Sequence, residues 1–332
     1  MTAARSGYDL PVYGLDSGAF PYIHAAALSC ITCSLLCALA TIGWSWRANR
    51  GRFADWSPGD RMVVYLALCD LLFNVSHSLD HAQYAATGDH VRPPLLCAVY
   101  GFSLAEFIAA QNLLVTAVAV NACLLVYRGR PVPFGRGDWR LLLVTFGVPF
   151  VFCTAVFSRG GFGPNGVFCY FDGVNGQVAK VFFTTAPLVG AIVFNGALYA
   201  LTWRRLRRQA GRNCRVLGRS RLTRAAARTA RTSLLFVAAF FVQWWAMAVF
   251  GVWDLIAAPP EWFFQAVTTF SNLGGVLNGC VFVIIRRRRA GALSLSVSSR
   301  TLPGSVQSVA GALAERDRES GGPRRPPPPR GV

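Results

Sequence analysis

Seven runs of about twenty or more mostly apolar residues divide this chain, and their length decides what solvent it folds in. They run from Tyr22 to Trp46, Met62 to Tyr84, Leu95 to Tyr127, Trp139 to Phe157, Val178 to Trp203, Thr232 to Ile256 and Trp262 to Ile285. A helix rises about 1.5 Å per residue, so each run matches a hydrocarbon core of roughly 30 Å. No water reaches backbone groups there, so each run is expected to be a helix. The expected fold is an all-α membrane protein, a seven-transmembrane helix bundle. Composition agrees: 53% of the residues are hydrophobic and 14% charged, against about a quarter charged in a water-soluble domain. The opening Met1 to Phe20 lacks a basic head followed by an apolar run, so no cleavable signal is expected and the first helix directs its own insertion.

The connections between the runs set the orientation. Those after the first, third and fifth runs, together with Arg286 to Arg289 at the end of the seventh, carry twenty-three basic residues against three acids, Asp55, Asp60 and Asp138. The opposite side carries Arg5, Arg92, Arg159 and Lys180 against seven acids. Arginine and lysine stay on the cytoplasmic side, which puts the amino terminus outside and the carboxyl terminus inside. The net charge of +18 thus reflects membrane topology and contact with lipid, with no nucleic-acid partner expected. Three regions follow: a short extracellular segment, 1–21; the membrane domain, 22–289; and a Ser-, Arg- and Pro-rich cytoplasmic tail, 290–332, read as disordered.

Of ten cysteines, eight lie within runs or on the basic side. Cys97, at the head of the third run, and Cys169, in the connection after the fourth, are the two that an oxidising exterior can join. Their disulfide would tie that connection to the third helix.

Ionisable groups at membrane depth are costly and therefore candidates for function. Asp70, Asn74, His77 and His81 follow spacings of 4, 3 and 4 and so line one side of the second helix. Asn121, Asn272 and Asn278 supply possible partners for Asp70. The set reads equally well as a packing network and as a switch that rearranges on activation. Glu106 falls ~13 Å beyond Cys97 along the third helix, where it can line an outward cavity. Lys180, the sole lysine, is a candidate partner for Glu106 or for an anionic ligand. Gln243, Trp244 and Trp245 offer such a pocket an aromatic wall, with His77 beside it; interhelical packing and interfacial anchoring explain the tryptophans equally well. Arg221, Arg224 and Arg228 recur at helical spacing before the sixth run and, with Arg128 and Arg130, form a basic surface able to dock an acidic partner.

Seven spans, an external amino terminus, a loop cysteine pairable with the head of helix three and a basic third inner loop together resemble a G-protein-coupled receptor. Leu66-Ala-Leu-Cys-Asp70-Leu71 resembles the leucine-aspartate motif of helix two in that superfamily. The Asp-Arg-Tyr box is replaced by Asn121-Ala-Cys-Leu-Leu-Val-Tyr-Arg128, and Asn-Pro-x-x-Tyr is missing from the last run, which argues against the rhodopsin-like class. Cys97-x-x-x-Gly101, Phe146-Gly-Val-Pro149, Cys169-Tyr170 and Gly274-Gly275-Val-Leu-Asn278 look closer to the cyclic-AMP-receptor-like and secretin-like group and its orphan relatives. The resemblance covers Tyr22 to Arg289. It implies a plasma-membrane receptor, without enzymatic activity, cofactor or metal, that passes the signal of a small extracellular ligand to a heterotrimeric G protein. Two other readings stay open. His77-x-x-x-His81 has metal-ligand spacing, as in a ceramidase-like membrane hydrolase, which a zinc assay would reveal. A transporter is the other, and ligand-stimulated nucleotide exchange on an added G protein would count against it.

Overall fold

The computed structural model describes residues 5–49, 51–213, 221–257 and 259–298. It divides into two compact units, 1–283 and 284–332. The described residues are mostly helical. Long helices are α1 (Phe20–Ala48), α2 (Pro58–Thr87), α3 (Pro94–Arg128), α4 (Arg136–Phe157), α5 (Gln177–Arg208) and α6 (Arg221–Trp253). Each contains a stretch long and apolar enough to cross a membrane. A bent pair, α7 (Glu261–Ser271) and α8 (Gly274–Ser298), turned by 41° at the break, makes a seventh crossing when taken as one span. These are the helices of a multi-pass integral membrane protein.

Local chemistry sets several ends. Pro58 and Pro94 open α2 and α3, where a missing N–H costs nothing, and the Ser57 side chain accepts from the Asp60 N–H. Gly88 and Gly129 close the same helices in the left-handed region. Single π turns, Leu143–Gly147 and Val181–Thr185, interrupt α4 and α5.

Within the first unit α3 is central and packs on α2, α4, α5, α6 and the connection after α4. The distribution of polarity is the reverse of a water-soluble protein. Leu143, Val144, Phe150 and Val151 of α4 and Phe182 and Val193 of α5 are exposed, while Asp70, Asn74, His77, Asp80, His81, Gln111 and Asn272 are buried. Apolar side chains outside and hydrogen-bonding ones inside is the arrangement that lipid favours.

The connection after α4 folds into a two-stranded hairpin, β1 (Phe162–Pro164) and β2 (Cys169–Phe171), with Gly163 opposite Tyr170. A disulfide joins Cys97 to Cys169 across 72 residues, as the sequence predicts. Gly101, one turn further along α3, lets the hairpin lie flat: a Cβ there would come within 2.5 Å of the Tyr170 carbonyl oxygen. The amino-terminal segment lies across the hairpin. Gly7 N–H donates to Asp172 at 2.9 Å, Tyr13 N–H to Gly166 at 2.9 Å, and His90 Nε2 meets the Leu10 carbonyl at 2.8 Å.

The broken seventh crossing corrects the single uninterrupted helix expected from Trp262 to Ile285. Its cause is crowding. A Cβ on Gly274 would sit 2.2 Å from Asp70 Oδ1, and one on Gly275 would sit 2.2 Å from the Ser34 carbonyl oxygen. The backbone bends where it must approach α1 and α2 this closely, and only glycine fits. The second unit begins within α8, which continues helically past Arg289 to Ser298; residues 299–332, the rest of the expected tail, lie outside the described residues.

Candidate functional site

Asp70 is the meeting point of the bundle. Its Oδ1 accepts from Gln111 Nε2 of α3 at 2.6 Å and its Oδ2 from Asn278 Nδ2 of α8 at 2.7 Å. Gln243 of α6 also bonds to it and donates to the Ser271 carbonyl at 3.1 Å. Gln111 Oε1 in turn accepts from Trp244 Nε1 at 2.9 Å. One fully buried carboxyl group therefore gathers donors from three other crossings, all of them neutral. Removing it would strand buried donors, and each stranded donor costs about 1–3 kcal/mol.

The same face of α2 continues toward the hairpin. Asn74 Nδ2 bonds to the Asp70 carbonyl of its own helix at 2.8 Å, and Asn74 Oδ1 has no partner. His77 Nδ1 lies 2.8 Å from Asn272 Oδ1, at the break of the seventh crossing. His77 Nε2 lies 3.0 Å from His81 Nε2, and His81 Nδ1 lies 2.8 Å from His24 Nδ1 on α1. Asp80, between the two α2 histidines, accepts from the Cys169 N–H at 3.0 Å and so holds β2 next to the disulfide.

Beside this column, at the hairpin end, lies a cavity of about 540 Å³. Tyr13 and Asp16 of the amino-terminal segment, Phe168 and Tyr170 of the hairpin, Lys180 of α5, Phe250 of α6, Asp254 just after it and Phe264 of α7 contribute to its walls. Tyr13 packs on Phe264 with ring centres 4.4 Å apart. Lys180 and Asp254 form an ion pair in the wall. Tyr170 donates or accepts at 2.6 Å with Thr184, and burial pushes its phenol well above the ordinary tyrosine range, so it stays uncharged. Tyr8 is raised too, mainly by burial and against the pull of Arg92, which lies 5.1 Å over its ring.

No protein-family model and no curated protein matches this chain. The site must be judged on its own geometry.

The pocket residues expected from the sequence separate in space. Lys180 lines the cavity; Glu106, Gln243, Trp244, Trp245 and His77 are not among its walls. Glu106 is buried and bonds to Cys153 of α4, and its Oε2 has no partner. The expected pairing of Lys180 with Glu106 is replaced by Lys180 with Asp254, because the end of α6 lies beside the start of α5. Trp244 turns inward to the Asp70 junction, whereas its neighbour Trp245 is 41% exposed and packs edge-to-face with Phe263 and Phe270. Of the expected polar network, Asn278 bonds to the Asp70 carboxyl group and Asn74 to its backbone carbonyl, whereas Asn272 bonds to His77 instead. Asn121 stands apart: its Oδ1 accepts from the Val132 N–H at 2.8 Å and fixes the turn after α3.

At the opposite end, Arg128 and Arg130 are exposed. Arg221, Arg224 and Arg228 fall on the first turns of α6, and their side chains lie outside the described residues. Sequence reasoning passed over a buried ion pair here. Arg61 Nε and Nη2 donate to Asp138 at 2.5 and 3.0 Å, and Arg61 Nη1 donates to the Ala54 and Trp56 carbonyls at 3.0 and 2.5 Å. The available signal was an acid in an otherwise basic connection. His24 and Asp80, weighed in the sequence only beside the metal-ligand spacing, find partners on α2 and in the hairpin, His81 and the Cys169 N–H.

Proposed function

We propose that this chain is a receptor of the G-protein-coupled kind, lying in the plasma membrane with its hairpin end outside and its arginine-rich end in the cytoplasm. A small extracellular ligand enters the cavity beneath the amino-terminal segment and shifts the balance between two arrangements of the bundle. The observation that carries this reading is the placement of the cavity. Its walls include α5, α6 and α7, and α6 and the seventh crossing are also tied to the Asp70 junction. A ligand that displaces Asp254 from Lys180 or Tyr13 from Phe264 changes contacts on helices whose other bonds converge on one carboxyl group. The response is an outward movement of α6 at its arginine-rich end, which opens a cleft for an acidic surface of the G protein.

The lack of Asp-Arg-Tyr and Asn-Pro-x-x-Tyr means that a different set of contacts holds the resting arrangement, and the Asp70 junction is the candidate. The histidine spacing that suggested a hydrolase serves another geometry. His77 and His81 point their Nε2 atoms at each other, and among the described residues no group of three His, Cys, Asp or Glu is arranged to hold a metal ion.

The test is a nucleotide-exchange assay on purified G proteins, with the chain in lipid discs and a panel of small metabolites and nucleotides as candidate ligands. Exchange stimulated by a compound, and lost when Lys180→Ala and Asp254→Ala empty the cavity wall of its charges, is the expected result. Transport of the compound across sealed vesicles without exchange would replace the receptor by a carrier.

A further inference from the structure

Every histidine of the chain sits at the hairpin end. His24, His81 and His77 form an unbroken row of buried rings from α1 through α2 to Asn272, and His90 stands nearby, joined to Tyr84 at 3.0 Å. The proposed function makes no use of this row.

The tautomers follow from its far end. Asn272 Nδ2 donates to the Thr268 carbonyl at 2.6 Å, so the amide presents its oxygen to His77, and His77 Nδ1 must carry a proton. A neutral His77 then accepts at Nε2, which requires the proton of His81 on its Nε2. His81 therefore accepts at Nδ1 from His24 Nδ1–H. Nε2 of His24 is left as the only ring nitrogen in the row that carries no proton and accepts from no other ring.

Counting hydrogens gives the capacity of the row. Each of the two bonds between rings needs one N–H and one lone pair, and each end nitrogen carries at most one proton. Three protons make the row neutral and a fourth completes it. A fifth would set two N–H groups face to face. The fourth proton enters at His24 Nε2, and its charge can pass to His81 and then His77 by transferring protons along the two existing bonds, with neither broken. With the charge on His77, the bond to Asn272 becomes charge-assisted, and such bonds are about twice as strong as neutral ones.

We propose that His24, His81 and His77 form a binding site for one proton, and that its occupancy tightens α2 onto the break in the seventh crossing through Asn272. A shared metal ion does not fit, because the two nitrogens of His81 are committed to different rings and, among the described residues, no group of three His, Cys, Asp or Glu is arranged to hold one. The groups facing the row are consistent with a single charge. Phe20 of α1 and Phe168 of the hairpin are apolar, and Asn272, just past α7, and Thr268 of α7 are uncharged. Tyr84 stacks on His24 with centres 5.6 Å apart, and beyond it lie His90, Tyr8, Asp89 and Arg92; Tyr100 lies toward α3. Asp80 is the neighbouring carboxyl group; its Oδ2 is committed to Cys169 N–H and its Oδ1 has no partner.

The proton site stands on the hydrogen-bond row alone, and only its signalling consequence rests on the receptor reading. The test is nitrogen NMR of the full chain, labelled at histidine and held in lipid discs, as the pH is lowered from about 8 to about 5. The expected starting state has Nδ1–H on His24 and His77 and Nε2–H on His81. One proton is then taken up with all three rings shifting together. His81→Gln should split the common curve into separate ones for His24 and His77. If that variant does not fold, the unaltered chain still decides. Three rings unmoved over the range, or uptake of more than one proton by the row, would overturn the proposal. Nucleotide exchange is read on the same samples: normal proton uptake with exchange indifferent to pH contradicts the signalling consequence and leaves the proton site standing.

Discussion

The two ends of the bundle are held by different means. At the hairpin end, bonds between residues remote in sequence are dense: the Cys97–Cys169 disulfide, Asp80 to Cys169, Asp172 to Gly7, His90 to Leu10 and Lys180 to Asp254. At the arginine-rich end, Arg61 pairs with Asp138, Tyr65 lies 3.3 Å from the same carboxyl group, and Tyr127 Oη donates to the Leu201 carbonyl at 3.4 Å. Arg128 and Arg130 stand exposed there. An end fixed by many specific bonds keeps a cavity in shape, and in the proposed receptor reading that is the end at which a ligand is recognised.

The comparison breaks most readily at its weaker side. Arg61→Ala leaves Asp138 buried without its cation and should destabilise the protein by about 4 kcal/mol, read from thermal unfolding in detergent. Arg61→Lys should recover only part of this, because an ammonium cannot make the two-pronged contact. An effect below about 1 kcal/mol, the usual worth of an exposed pair, would mean that the arginine-rich end has no such single tie.

Opening the disulfide with Cys97→Ser and Cys169→Ser should cost about 3 kcal/mol and expose the hairpin to protease before the helices unfold. Simultaneous cleavage at both ends would remove the proposed contrast. Between the ends, Gly275→Ala forces a methyl group toward the Ser34 carbonyl and should cost about 2 kcal/mol, with the bend at α7 and α8 changed.

The smallest effect concerns Asp9. The Arg5 and Ser6 N–H groups donate to its carboxylate at 2.7 and 3.0 Å and lower its pKa from the ordinary 3.8. A group whose folded value is depressed adds stability above its unfolded pKa and loses it as the pH falls through the folded one. Loosening of the amino-terminal segment is therefore expected only in acid below the ordinary carboxylate range, and Asp9→Asn should remove this dependence. Hydrogen exchange of the Arg5 and Ser6 amides measures both.

Much of the architecture was legible because lipid demands long apolar runs whatever the tertiary fold. The disulfide was legible because topology leaves only Cys97 and Cys169 on one oxidising side. Asp70 and the histidine stripe were legible as buried polar groups on one face of α2. The partners were less so. Lys180 finds Asp254 because of where the α6 end falls, and His24 finds His81 because α1 packs along α2; neither packing leaves a periodic trace. The break after Ser271 was hidden for the same reason: Gly274-Gly275 reads as a motif, and its cause lies in Asp70 and Ser34 on other helices.

The account depends on the two ends lying on opposite sides of a membrane. Epitopes placed at the amino terminus and after Val332, probed on intact and then permeabilised cells, test this directly. The amino-terminal epitope should be reached on intact cells and the carboxyl-terminal one only after permeabilisation. Both epitopes reached together on intact cells, or both only after permeabilisation, would contradict it.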